Sequence, residues 1–414
     1  MDGRSTLIES VGSPPDADPI DFPLPRSCPF QPPVEYRSLR AGGPVTRVRV
    51  PDGGEAWLVT RYDDVRAVLT DPRISADRGH PNLPMTEPVT PRSRQAIAAV
   101  GRSLIGLDPP EHSIPRKLLT TEFTARRIQA LRPRIQRHVD SRIDELLAGP
   151  RPADLVAALC MPVPSMVLCE LLGVPDRDRD FVVRQSTTLV QRSATPEERQ
   201  RAGGELRGYL DRLVAEKEAA PGDDLFGKLV ERDREDPFYD HDLLVGLGML
   251  LMTAGHESTT SMLALGVALL LDRTDRPADL VADPVAAGAV AEELLRYLAI
   301  VDTMPRVAKA DTEVGGVPIR AGDGLLVGFA SANRDEDAFP DADALDFDRG
   351  ARGHVAFGFG VHQCLGQNLA RAQLEIVYRT LFARIPTLKL AVAAEELPFH
   401  DGNVHGLDRL PVTW

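Results

Sequence analysis

The sequence predicts a mainly α-helical protein with a smaller β region, and three observations carry that expectation. From Phe123 to about Arg234 apolar residues recur at helical spacing, broken by polar turns near Gly173-Val-Pro175 and Pro221-Gly-Asp-Asp224. A longer apolar stretch, Leu243 to Leu271, could span a membrane by length alone, but Ala254-Gly-His-Glu-Ser-Thr-Thr260 interrupts it with hydrogen-bonding side chains and a glycine. A buried helix with a functional break at its centre is therefore predicted. After Cys364, Leu365, Leu369, Ala372 and Ile376, with Leu374, Val377, Leu381 and Ile385 on the adjoining row, recur at three and four residues, so a helix is predicted to begin at the cysteine.

Residues 1–27, rich in Pro, Asp and Ser, are expected to form an irregular N-terminal arm, and 28–414 a single domain. Val45, Val48 and Val50, the turn Asp52-Gly53-Gly54, and Ala56-Trp57-Leu58-Val59 read as a β-hairpin. Pro81, Pro84, Pro88 and Pro91 among scattered charges make 75–95 a long loop, in which Arg78, His80 and Met85 are candidate ligand contacts. Asp108 before two prolines reads as a helix start that sets His112 and Arg116 four apart on one face. Met166, Leu168, Phe181, Val182 and Leu189 are apolar enough to roof a cavity, although such spacing also suits ordinary core. Asp242 is expected to cap the Leu243–Leu271 stretch. The helix Val285 to Leu298 carries Glu293 and Arg296, which share a face at i and i+3. Val314 to Phe329, punctuated by glycines, reads as strands, and Gly402 to Gly406 as the tip of a C-terminal hairpin.

Across 414 residues, 43% are hydrophobic, enough for a large core, and the net charge of -13 disfavours wholesale binding to nucleic acid or anionic membrane. Four cysteines, Cys28, Cys160, Cys169 and Cys364, are too few and irregular for a disulfide framework, which fits a reducing cytoplasm. The N-terminus lacks the basic and apolar pattern of a signal or anchor segment, so a cytoplasmic location without membrane attachment is expected.

The functional signal is concentrated in Phe357-Gly-Phe-Gly-Val-His-Gln-Cys364-Leu-Gly366. A helix N-terminus and the N–H groups of a glycine-rich turn favour thiolate over thiol, while Gly358, Gly360 and Gly366 let the backbone lie flat against a planar group. Cys364 therefore reads as an axial ligand to haem iron. A buried structural cysteine is the usual alternative for a lone thiol. The pattern Phe-Gly-x-Gly-x-His-x-Cys-x-Gly, followed by Leu369-Ala370-Arg371, resembles the haem-binding signature of the cytochrome P450 monooxygenases. Three further segments in the family's order support it. Ala254-Gly255-His256-Glu257-Ser258-Thr259 resembles the oxygen-activation motif, with Ser258 at the position usually held by threonine. Glu293-Leu-Leu-Arg296 resembles a buried, structural ion pair, and His112-x-x-x-Arg116 a clamp for the haem propionates.

The resemblance covers nearly all of the chain after Cys28, and Cys28-Pro-Phe-x-Pro-Pro33 is similar to a feature of an actinobacterial branch. It implies the cytochrome P450 fold, a single domain of triangular outline holding haem b between the long central helix and the cysteine-loop helix. His112, Arg116, Arg306, His354, Phe357, Gly358 and Gly366 are implied to contact the haem, and Cys364 to ligate its iron. Glu257 and Ser258 are implied to deliver protons to bound dioxygen. Leu250, Thr253, Ala254, Ile300, Val301 and Met304 are candidates for the substrate pocket. The implied reaction inserts one atom of O2 into an apolar small molecule, by hydroxylation or epoxidation in secondary or xenobiotic metabolism. A ferredoxin and its reductase would supply electrons, docking on a basic patch of Arg116, Lys117, Arg126, Arg352 and Arg371. A monomer is expected. A haem-thiolate peroxygenase, a nitric oxide reductase, to which several segments are similar, and a haem-based gas sensor remain open at this point.

Overall fold

The computed structural model describes residues 18–91, 94–95, 97–98, 104–190, 194–235, 240–400 and 404–414. Helices dominate, and the largest sheet has six strands in the order Ile20–Asp21, Val45–Arg49, Glu55–Val59, Gly324–Gly328, Thr303–Ala308 and Ile74–Ser75. The predicted hairpin is antiparallel with Val45 opposite Val59 and Arg49 opposite Glu55, and Gly53 turns it at a φ of 86°. Part of the expected irregular arm is ordered along this sheet, where Ile20 pairs in parallel with Val48. Residues 1–17 lie outside the described residues. So does the tip of the C-terminal hairpin at 401–403, whose arms Phe399–His400 and Gly406–Leu407 pair antiparallel.

The long apolar stretch forms two helices, His241–Ala254 and Glu257–Arg273, separated by Gly255 and His256. Asp240, not Asp242, caps the first, its side chain accepting the Leu243 N–H at 2.7 Å. Hydroxyls bend the junction as they bond back: Ser258 Oγ donates to the Ala254 carbonyl at 3.2 Å and Thr259 Oγ1 to that of Gly255 at 3.3 Å. His256 is buried with Nδ1 2.8 Å from the Met252 carbonyl oxygen. Among the described residues no helix is long and apolar enough to cross a membrane.

The helix after the cysteine, Gln367–Arg384, begins three residues later than the periodicity suggested, with Gly366 as its N-cap. The delay arises because the Cys364 N–H turns back to the Phe357 carbonyl at 2.8 Å and closes the loop before helical bonding starts. This helix packs against Glu257–Arg273, Ala125–Ala148 and Pro284–Leu298. Close approach to Glu257–Arg273 depends on Gly266, where a Cβ would lie 2.1 Å from the hydroxyl of buried Tyr378. Likewise the helix expected from Asp108 starts at Ser113, because residues 109–112 form a turn first.

Two carboxylates in succession on the helix Pro284–Leu298 hold the segment that leads to the cysteine. Glu293 and Arg296 are 1% and 0% exposed, joined by two hydrogen bonds of 2.7 and 2.8 Å. The remaining Arg296 donors reach the carbonyls of Asn333, Ala342 and Ala344. Glu293 Oε1 also accepts the Asp346 N–H at 3.0 Å and meets Arg349 Nε at 3.3 Å. The neighbouring Glu292 pairs with Arg371 of the cysteine-loop helix, and His354 Nε2 lies 3.3 Å from its Oε2.

Removing one partner from a buried ion pair leaves the other charge uncompensated, so Glu293→Gln should destabilise the fold by about 3–5 kcal/mol. The check is the urea unfolding midpoint; an unchanged midpoint would show that the pair carries no net stability. Burial pushes the Glu292 carboxyl up, but the His354 ring close by and the hydrogen bonds from Arg371 outweigh this and hold it at about 2, against 4.5 ordinarily. The lowered folded value means that its contribution is present above pH 4.5 and is lost as pH falls towards 2. Over that window wild-type stability should fall more steeply than that of Glu292→Gln, as measured by urea titration at each pH.

Candidate active site

A cavity of about 380 Å³ lies between the break in the central helix pair and the cysteine loop. Leu250, Ala254, Glu257 and Ser258 line one side, and Phe357, Gly358, His362, Cys364 and Gly366 the other. Ile300, Val301, Met304 and Arg306 close a third side, where the chain leaves the Pro284–Leu298 helix and enters the strand Thr303–Ala308. His112 and Arg116 complete the cationic rim. A separate cleft of about 420 Å³ among Arg177, Phe181, Tyr209 and Glu216 contains none of the motif residues.

Cys364 is exposed to this cavity, whereas Cys160 and Cys169 are buried in packed core, where burial raises both thiols. Burial raises the Cys364 thiol as well, against the pull of the Gly366 and Gln367 N–H groups and the charges of Arg116 and Arg371. The loop geometry is permissive of a flat ligand: Gly358 adopts a φ of 68°, and at Gly360, φ 73°, a Cβ would lie 2.6 Å from the Leu69 carbonyl oxygen.

Among the described residues no carboxylate forms an ion pair with Arg78, Arg116 or Arg306, although Asp108 acts on His112 and Arg306 from nearby and Glu257 lines the opposite wall. Arg306 is pushed down to about 9, chiefly by burial and then by the nearby charge of Arg78. Burial also lowers Arg116, and lowers His112, whose ring additionally faces Arg116. The Nε2 of His112 has no hydrogen-bond partner among the described residues, and the His362 ring lies 4.3 Å away, centroid to centroid. His362 is depressed to about 3 by burial, Arg306 and His112. A planar group carrying two carboxylates and a metal that accepts a thiolate fits this set: donors wait unpaired on the rim, a sulfur faces in, and glycines leave the loop flat.

Other sequence expectations are redistributed. Thr253 does not line the cavity; its hydroxyl turns back to the carbonyls of Met249 and Leu250 at 2.8 and 3.2 Å, while the helical phase presents Leu250 and Ala254. His354 is buried outside the lining, with Nε2 at Glu292, because the Glu292 and Arg371 pair draws it away from the cavity. Of the expected basic patch, Lys117, Arg126 and Arg352 are exposed. Arg116 instead faces inward and donates to the Gln363 carbonyl, and Arg371 is committed to Glu292. Leu168 of the expected roof reaches the cavity, and Phe181 lines the separate cleft. From the 75–95 loop Arg78 enters the cavity, and His80 and Met85 do not line it. His362 is the residue that role-by-role reading missed, although it stood inside the cysteine-loop pattern all along.

A sequence profile of the family described as Cytochrome P450 matches residues 287–385. The cytochrome P450-SOY of Streptomyces griseus is 46% identical, with the alignment covering 96% of each chain. A vitamin D3 dihydroxylase of Streptomyces griseolus is 45% identical over 99% of this chain and 100% of that protein. The crystal structure of cytochrome P450 MoxA from Nonomuraea recticatena superposes with a TM-score of 0.89 at 47% identity, covering 95% of this chain and 98% of that one. Full-length similarity of this degree, joined to the thiol-bearing glycine loop and the broken central helix, means that the chain belongs to the cytochrome P450 family, as a haem-iron monooxygenase of the actinobacterial type.

Proposed function

We propose that the cavity binds haem b with Cys364 as the axial iron ligand, and that the enzyme inserts one oxygen atom from O2 into a C–H or C=C bond of an apolar small molecule. One observation carries this reading: the Cys364 sulfur opens on the same cavity as Glu257 and Ser258, which come from the opposite wall. Haem iron held there would supply dioxygen activation, consuming two electrons and two protons as one oxygen atom enters the substrate and the other leaves as water. The Gly366 and Gln367 N–H groups temper the charge on the sulfur. His112, Arg116 and Arg306, with His362 added to them, donate to the propionates; His354 acts from behind the rim through Glu292. Phe357, Gly358 and Gly366, which line the cavity beside Cys364, would contact the haem.

Proton delivery falls to Glu257 and Ser258. The Ser258 hydroxyl holds its helix carbonyl at a long 3.2 Å, and without the methyl of threonine it is free to turn into the cavity and hold a proton for transfer. Glu257, at the start of its helix, resupplies that proton. This acid and hydroxyl pair favours the monooxygenase, which draws two protons from outside, over a peroxide-driven enzyme, whose oxidant brings both protons with it. Leu250, Ala254, Ile300, Val301 and Met304 exclude water and receive the apolar body of the substrate. A ferredoxin, reduced by its reductase, docks on the exposed charges of Lys117, Arg126 and Arg352. The protein works as a cytoplasmic monomer with a single domain, which takes in the strand Ile20–Asp21 of the expected arm as well as residues 28–414.

The deciding experiment is the visible spectrum of the dithionite-reduced holoprotein with carbon monoxide. A strongly red-shifted Soret band is expected, and its loss in Cys364→His; a band typical of histidine-ligated haem in the wild type would overturn the assignment. For the relay, Glu257→Gln should lower substrate oxidation by roughly 10²-fold. Ser258→Ala should divert reducing equivalents from product to hydrogen peroxide. If Ser258→Ala leaves both product yield and peroxide release unchanged, the hydroxyl has no part in proton transfer.

A further inference from the structure

Arg78 stands apart from the other cations of the cavity. It arrives on the 75–95 loop, and its Nη2 lies 3.1 Å from the sulfur of Met304, a weak acceptor. Its Nε is enclosed and has no partner, and among the described residues no carboxylate pairs with it. The charge that it meets is another cation, Arg306. A guanidinium enclosed in this way is unfavourable until an anion reaches it, and its fork of donors matches a carboxylate in bidentate fashion.

The two propionates do not account for it. On the haem reading above, on which this inference rests, His112, Arg116, Arg306 and His362 already provide donors for both. Three guanidiniums, Arg78, Arg116 and Arg306, then face two carboxylates, and the surplus one is set against the apolar side chain of Met304. We infer that Arg78 is a specificity-determining residue that binds a carboxylate on the substrate, so that the preferred substrates are hydrophobic carboxylic acids. The apolar body of such an acid lies along Leu250, Ile300 and Val301, and anchoring one end at Arg78 fixes which carbon is presented for oxidation.

The ferric holoprotein would be titrated with octanoate, dodecanoate and naphthoate, each paired with its primary amide, following the Soret shift on binding, in wild type, Arg78→Met and Arg78→Lys. Wild type should bind at least one acid about tenfold or more tightly than its amide, equivalent to about 1.4 kcal/mol. Arg78→Met should abolish that preference and Arg78→Lys retain part of it, with haem content unchanged in both. Absence of an acid preference in every wild-type pair, whether by equal binding or by no binding, overturns the inference. So does a preference that survives in Arg78→Met, or loss of haem from both variants, which would assign Arg78 to a propionate. The reduced carbon monoxide spectrum of the same samples separates these outcomes from failure of the haem reading itself, which would show as absent haem or a band that is not red-shifted.

Discussion

The fold depends on a buried charge, the Arg296 guanidinium, satisfied on every side at once. Glu293 neutralises it, and three backbone carbonyls from 333–344 take its remaining donors. The loop that leads to the cysteine has little regular structure, so its backbone groups need partners that a helix or sheet would otherwise provide. Arg296 and Glu293 supply them from a rigid helix, and Arg349 and the Asp346 N–H close the network. An apolar pair of the same volume could pack as well, but it would not specify where each carbonyl lies. The position of Cys364 thus traces back to an ion pair remote from the chemistry.

Charge in the cavity works in the opposite sense. The scaffold pair is complete within the chain, whereas Arg78, Arg306, Arg116, His112 and His362 crowd together without matching carboxylates, and burial drives those whose values shift towards their neutral forms. Unpaired buried donors are rare in folded proteins because each loses its hydration without compensation. Two such donors, Arg78 Nε and His112 Nε2, open on the same thiol-bearing cavity as Arg116, Arg306 and His362, an arrangement suited to an anionic guest. Stability and binding are therefore separated in space, with complete ion pairs behind the cysteine loop and incomplete ones in front of it.

The break at Gly255 and His256 shapes both the helix packing and one wall of the cavity. Hydroxyls that bond back to their own helix bend it, and the same two residues, Ser258 and Thr259, line the cavity. Ser258 is the point at which this chain departs from the usual threonine, keeping the donor and losing the methyl that restricts it. Serine at this position therefore keeps the bond back to the Ala254 carbonyl and gains side-chain freedom.

By itself the sequence determined the elements whose signals are local. Helical periodicity marked the central and cysteine-loop helices, valine alternation around Asp52-Gly53-Gly54 marked the hairpin, and residue type within ten positions singled out Cys364, the cysteine that opens on the cavity. Boundaries slipped by a few residues, at Ser113 and Gln367 where backbone turns precede the helix, and at Asp240 where the earlier of two aspartates supplies the side-chain cap. Only the tertiary structure decided where long side chains go. Arg116 and Arg371 look like equal members of a basic patch in sequence, yet one turns into the cavity and the other pairs with Glu292. Thr253 and His354 have suitable chemistry and position but find nearer partners, whereas His362 and Arg78 reach the cavity. The reason is that a local pattern fixes the backbone and the face a residue occupies. The partner that captures a flexible polar side chain comes from elements tens or hundreds of residues away, and only the packed fold brings these within hydrogen-bond distance.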